Sequence, residues 1–148
     1  ISRFEGTIGQ FPSLAILMPI TAAMGGNAGV QVITVTVRAL ATRDITPSSD
    51  VFRIVGKELL VGLINACVFA AILGTIGALW FGEVKIGAVL AGAMIFNMVW
   101  AGFAGTVIPL IMNRLGLDPA TGAGPFLTTT TDCIGFFSFL GLATLILR

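Results

Sequence analysis

The sequence lacks histidine and tyrosine and has few charged residues. Only 10% of its 148 residues are Asp, Glu, Lys or Arg, whereas 56% are hydrophobic, and the mean hydropathy is +1.02. A chain with so few charges cannot surround a soluble core with a polar surface. The composition therefore predicts an integral membrane protein, and the net charge of +1 gives no indication of a nucleic-acid partner.

Other absences exclude further classes. The two cysteines, Cys67 and Cys133, lie in apolar stretches, where a packing role is the usual one. No pair of nucleophile and base and no metal triad appears, so we do not expect an enzyme. The chain begins at Ile1, without a charged segment followed by a cleavage site, and we expect it to be a fragment of a longer protein.

Four apolar runs dominate the chain. They cover residues 11–37, 59–79, 86–111 and 122–147. Each is close to the ~20 residues that a helix needs to cross a bilayer, and the alternating pattern of a membrane β-barrel is missing. The fold class predicted is an all-α bundle of four transmembrane helices.

Positive charge orients the predicted bundle. Segments 38–58 and 112–118 lie on the same side of the membrane and contain five of the eight Lys and Arg residues. Because cytoplasmic loops are enriched in positive charge, this distribution predicts a cytoplasmic loop at 38–58. Glu58, at the end of this loop, is interpreted as a solvated charge.

Asp132 differs from the other acidic residues because it lies well inside an apolar run. Ten uncharged residues precede it in the last run and fifteen follow it. A carboxylate at such a depth costs at least ~2.5 kcal/mol, so it is expected to face a bundle interior or an aqueous path and to mark a functional site. The alternative is a protonated aspartate that hydrogen-bonds to a neighbouring helix.

Oxygen-bearing residues share the helical face of Asp132. Thr128 and Thr129 precede it by one turn, and Gly124 and Pro125 by a second turn. The threonine hydroxyls could equally donate to their own helix. Oxygen ligands without histidine suit Mg²⁺, Ca²⁺ or Mn²⁺. One carboxylate is sparse for such an ion, which favours two copies across a twofold axis.

The first apolar run is unusually irregular. It contains Pro19, Gly25, Gly26, Asn27, Gly29 and Gln31. The proline and the glycines predict a break or loosening of the helix near mid-membrane, which is tolerated where the backbone lines a cavity. Asn27 and Gln31 lie one turn apart, where they could present amide oxygens to a hydrated ion or join two helices.

These stretches resemble a known family. "PITAAMGGNAGVQ" (19–31), "RALATRDI" (38–45) and "LGLDPATGAGPFLTTTTD" (115–132) are similar to the signature regions of the MgtE magnesium channels and transporters. The resemblance covers essentially the whole chain and implies that it holds helices two to five of five. "ISRFEG" (1–6) is similar to the end of the family's first helix and the connection beyond it. The cytoplasmic magnesium-sensing domain and CBS modules would then be absent from residues 1–148.

The resemblance implies a magnesium-conducting homodimer in the lipid bilayer of the cell inner membrane, regulated by the cytoplasmic sensing domains of the full-length protein. Its pore would follow the twofold axis, lined by the helix containing GGNAG and by the last helix. Asp132 and its counterpart would hold a hydrated Mg²⁺, Thr128 would turn a backbone oxygen to the ion, and Asp118 would lie near the cytoplasmic mouth. Three alternatives stay open: a broader divalent cation transporter (Mn²⁺, Co²⁺, Ca²⁺), a proton-coupled transporter, and a non-conducting membrane anchor or assembly module.

Overall fold

The computed structural model describes residues 1–42 and 49–147, and every regular element in them is helical. After a 3₁₀ turn at Ser2–Phe4, the helices are α1 (Glu5–Gln10), α2 (Ser13–Ala41), α3 (Ser49–Phe81), α4 (Val84–Arg114) and α5 (Pro119–Ile146). Helices α2 to α5 each contain a stretch long and apolar enough to cross a membrane. The predicted all-α fold is confirmed, and the chain is a multi-pass membrane protein.

The helices extend beyond the apolar runs. Helix α2 continues to Ala41 and α3 begins at Ser49, so most of the segment predicted as a loop at 38–58 is helical. Arg38 and Lys57 are exposed on these extensions, where long cationic side chains can reach the headgroups or water. Hydropathy marks the hydrocarbon thickness and not the end of the helix, so the cytoplasmic segment predicted at 38–58 contains the ends of two helices. Residues 43–48 lie outside the described residues.

Helix α4 forms the centre of the bundle. It packs against α2, α3 and α5, whereas α3 touches α2 only slightly. Glycines let the backbones approach: a Cβ atom on Gly74 would lie 3.0 Å from the carbonyl oxygen of Gly87, and one on Gly105 would lie 2.9 Å from that of Gly29. Small residues thus bring α4 close to both α3 and α2.

Short turns join the last three helices. Gly82 (φ 68°) lies between α3 and α4, and Gly116 (φ 72°) lies between α4 and α5. Both adopt the left-handed conformation that glycine allows without steric cost. Asp118 then caps α5, and Pro119 occupies its first position, where a missing N–H is harmless.

Helix α2 is continuous, contrary to the predicted break. Pro19 lies close to its beginning at Ser13, and the helix continues unbroken to Ala41. Proline removes a single backbone donor there, which the rest of a long helix tolerates because its other hydrogen bonds remain. The glycines serve packing: Gly25 makes room for Asn97, and Gly29 makes room for Leu127.

Candidate functional site

A polar stripe runs along one face of α5 and is turned out of the protomer. We define the α5 stripe as Gly124, Pro125, Thr128, Thr129 and Asp132. All of these residues are exposed except Gly124, which is half-buried. The opposite face of α5, with Ala123, Leu127 and Thr131, is buried. The helix therefore packs through its apolar face and presents its oxygen atoms outward.

The threonine hydroxyls of the stripe donate to their own helix. Thr128 Oγ1 lies 3.2 Å from the carbonyl oxygen of Gly124 and 3.1 Å from that of Pro125, and Thr129 Oγ1 lies 2.8 Å from the Pro125 oxygen. The hydroxyl protons are thus engaged within α5, as one of the two interpretations held. The hydroxyl lone pairs remain available to accept hydrogen bonds from ion-bound water.

Asp132 lies in the middle of α5 and is exposed. Within residues 1–42 and 49–147, its carboxylate has no hydrogen-bond or ion-pair partner. The protomer therefore supplies no neighbouring-helix contact of the kind that a purely structural aspartate would make. An exposed carboxylate at mid-membrane is costly in lipid, so its face must meet protein or water.

The middle of α2 lies beside the middle of α5. A Cβ atom on Gly26 would be 3.9 Å from Thr131 Oγ1. Asn27, the next residue, is exposed at this same level. Gly26 and Asn27 thus lie level with the Asp132 end of the α5 stripe.

The other signature residues of α2 lie elsewhere. Gly25 and Gly29 are buried against side chains of α4 and α5, so they are packing positions. Gln31 is exposed but lines a cavity shared with α3 and α4. The sequence grouped these residues by motif, whereas the structure distributes them around the helix.

Asp118 is separated from the stripe. Its Oδ1 accepts from the Ala120 N–H at 3.0 Å, and its Oδ2 accepts from Thr121 Oγ1 at 3.1 Å. These bonds satisfy the first turn of α5, as an N-cap does. The rise of an α-helix puts Asp118 about 21 Å from Asp132 along the axis. At this separation the two carboxylates of one chain cannot contact the same ion.

Sequence reasoning missed Asn97. This residue of α4 is fully buried, and its Nδ2 donates to the Thr21 carbonyl oxygen of α2 at 2.8 Å. A Cβ atom on Gly135 of α5 would lie 2.7 Å from the same Nδ2. Asn97 thus joins α4 to α2 by a hydrogen bond and packs beside Gly135 of α5. A lone amide in the middle of the third apolar run was the signal available in the sequence.

Glu58 was interpreted wrongly as a solvated charge. It is only 9% exposed. The chain is already helical here, and a Cβ atom on Gly102 of α4 would lie 3.4 Å from the Glu58 carbonyl oxygen. This turn of α3 thus lies against α4, and Glu58 lines a cavity between α2, α3 and α4. The spacing of Glu58, Gly62 and Asn65 along one helical face could have revealed it.

Known proteins have sequences similar to this chain. The model of the MgtE family, described as divalent cation transporters, matches residues 18–142. The chain is 30% identical to the magnesium transporter MgtE of Bacillus subtilis over 144 residues, which cover 97% of this chain and 32% of that protein. It is 32% identical to the magnesium transporters MgtE of Enterococcus faecalis, over 148 residues, and of Thermus thermophilus, over 149 residues, with full coverage of this chain and 32% of each relative.

The chain thus spans about a third of the length of these relatives. The similarity extends over all four membrane helices and includes both α2 and the α5 stripe. The chain belongs to the MgtE family of divalent cation transporters.

Proposed function

We propose that this chain is the ion-conducting membrane part of a magnesium transporter and that Mg²⁺ passes along the α5 stripe. The observation that supports this most is Asp132, an exposed carboxylate in the middle of a membrane helix for which residues 1–42 and 49–147 provide no partner. The relatives with which the chain aligns are named magnesium transporters. On this proposal the protein moves an ion and catalyses no covalent reaction.

The chemistry of the stripe favours a hydrated hard cation. Its side chains offer carboxylate and hydroxyl oxygens, and magnesium typically keeps several waters while one or two carboxylates hold it. The back-bonded hydroxyls of Thr128 and Thr129 can accept from those waters but have no free proton to repel the ion. Since the ion would keep its water, few direct protein ligands are needed.

A homodimer would complete this site. Two stripes facing each other across a twofold axis would remove both Asp132 carboxylates from lipid and place two negative charges beside one divalent ion. Asn27 and Gly26 of α2 would then flank the path, with Thr128 one turn below Asp132. Asp118, at the N-terminal end of α5, would lie near the cytoplasmic mouth of the path, where the sensing domains of the full-length protein would act.

The proposal includes the orientation and the location of the bundle in the membrane. The positively charged ends of α2 and α3 would face the cytoplasm, and the bundle would lie in the cell inner membrane. A broader divalent selectivity is the second candidate, because the family description names divalent cations and not magnesium alone. Oxygen ligands by themselves do not separate Mg²⁺ from Mn²⁺.

Magnesium uptake tests the proposal. Cells that lack other magnesium uptake would express the full-length protein with native Asp132, with Asp132→Ala, or with Glu83→Ala at matched membrane levels. Glu83 is an exposed carboxylate just before α4 and serves as the control for loss of a charge. We expect Asp132→Ala alone to abolish uptake while the protein stays assembled.

Other results would point elsewhere. Full uptake by Asp132→Ala would exclude conduction along the stripe. Uptake that follows an imposed pH gradient would indicate proton coupling. An Asp132→Asn variant without any effect on ion movement would indicate an anchor or assembly module.

A further inference from the structure

A second polar cavity lies between α2, α3 and α4. It has a volume of about 240 Å³, and its polar lining consists of Gln31, Glu58 and Asn65. Small and apolar residues form the remainder of the wall, with Val61, Met98 and Gly102 among them. We refer to this space as the Glu58 cavity. It exists because α3 packs along α4 but barely touches α2.

The Glu58 carboxylate is unpaired in its surroundings. The side chain is nine-tenths buried, and the described part of the chain gives it neither a hydrogen-bond donor nor an ion-pair partner. Its charged neighbours, Arg38 on α2 and Arg53 and Lys57 on α3, are exposed and do not line the cavity. Because an uncompensated buried charge costs several kcal/mol, a cation bound in the cavity would stabilise Glu58 in its charged form.

The lining suits a hard cation. Glu58 offers carboxylate oxygens, Gln31 and Asn65 offer amide oxygens, and neither cysteine nor histidine lines the space. Oxygen ligands select Mg²⁺, Ca²⁺ or Mn²⁺ over softer metals. Six waters occupy about 180 Å³ at their ~30 Å³ share of the liquid, so the cavity has room for a cation that keeps most of its hydration shell.

We propose that the Glu58 cavity binds a partly hydrated divalent cation, at a site separate from the α5 stripe. Glu58 provides the charge, and the amide groups of Gln31 and Asn65 orient the bound waters. The site lies on the α3 side of α2, whereas the stripe is on α5. The proposal rests on the proposed function only for the identity of the ion as Mg²⁺.

Paramagnetic Mn²⁺ can locate this site in the full-length protein. Cys67 and Cys133 are replaced by alanine, Asp132→Asn silences the stripe, and a nitroxide is attached at Leu60→Cys or at Leu79→Cys. Both leucines are exposed on α3, and neither lines the cavity. They are separated by about 28 Å along the helix. The measurement is the enhancement of nitroxide relaxation by Mn²⁺.

We expect Mn²⁺ to enhance relaxation much more strongly at position 60 than at position 79, and Mg²⁺ to reverse the enhancement. Glu58→Gln should abolish the enhancement at position 60, whereas the control Glu83→Gln should retain it. Equal relaxation at both positions would overturn the proposal. So would an enhancement at position 60 that persists in Glu58→Gln. If Glu58→Gln does not fold, the double variant Gln31→Leu and Asn65→Leu, which keeps Glu58 and removes the two amide groups of the cavity, replaces it and should weaken the enhancement at position 60.

The two proposals can fail separately. Loss of the Mn²⁺ effect at position 60 would remove the cavity site and leave uptake through the stripe untouched; a proton or another protein segment would then neutralise Glu58. Unchanged uptake in Asp132→Ala, with the Mn²⁺ effect present, would remove the stripe as the ion path and leave the cavity site in place.

Discussion

Asp132 and Glu58 are two membrane carboxylates in opposite environments. Asp132 lies at the centre of α5, yet it is exposed on the outside of the protomer. Glu58 lies near the charged beginning of α3, yet it is almost fully buried between three helices. Position in the apolar run and burial in the fold are thus independent properties of an acidic residue.

This difference determines what each residue needs. Asp132 needs a second surface, because its own protomer leaves it facing lipid. Glu58 is already enclosed by three helices of its own protomer and lacks only a positive charge beside its carboxylate. On the two proposals, assembly of two protomers would complete the stripe, whereas a single protomer would form the site in the Glu58 cavity.

Magnesium flux in proteoliposomes should separate the two carboxylates most strongly. Asp132→Asn should lower flux by about 10- to 100-fold, the equivalent of losing a charged hydrogen-bonding group worth ~1.5–3 kcal/mol. Glu58→Gln should lower it by less, because its cavity lies to the side of the stripe. A larger loss in Glu58→Gln would reverse the assignment of the main path.

Two adjacent glycines of α2 test the packing of this helix against Asn97 of α4. Gly25→Ala should destabilise the protein by about 1–3 kcal/mol, because its methyl group would collide with Asn97. Gly26→Ala should be neutral or stabilising by up to ~1 kcal/mol, since the nearest atom, Thr131 Oγ1, would be 3.9 Å away. Thermal unfolding in detergent measures both variants. Equal destabilisation would contradict the role assigned to Asn97.

Thr129→Val should have the smallest effect. The Thr129 hydroxyl donates to the Pro125 carbonyl oxygen within α5, so valine removes a local bond and keeps the shape. Membrane hydrogen bonds average ~0.6 kcal/mol, which corresponds to a change in flux of about threefold. The same flux assay measures it, with Asp132→Asn as the reference. A loss as large as that of Asp132→Asn would mean that the hydroxyl binds the ion directly.

Much of this arrangement could be predicted from the sequence. Hydropathy located the four helices, and the helical period placed Thr128, Thr129 and Asp132 on one face. The continuity of α2 could not be predicted, because Pro19 and the glycines have the same local signal in a broken helix as in a tightly packed one. Glu58 and Asn97 depend on contacts between distant segments, which a single helix pattern does not encode.

The most direct test of the central claim is the distance between the two α5 stripes. Cys133 follows Asp132 on α5, Cys67 lies on α3, and both are exposed. Each would be kept singly, with the other replaced by alanine, and labelled with a nitroxide for pulsed distance measurements in the assembled full-length protein. We predict a clearly shorter distance between the two Cys133 labels than between the two Cys67 labels. A shorter distance between the Cys67 labels, or no dipolar coupling at Cys133, would contradict a shared ion path between two Asp132 carboxylates.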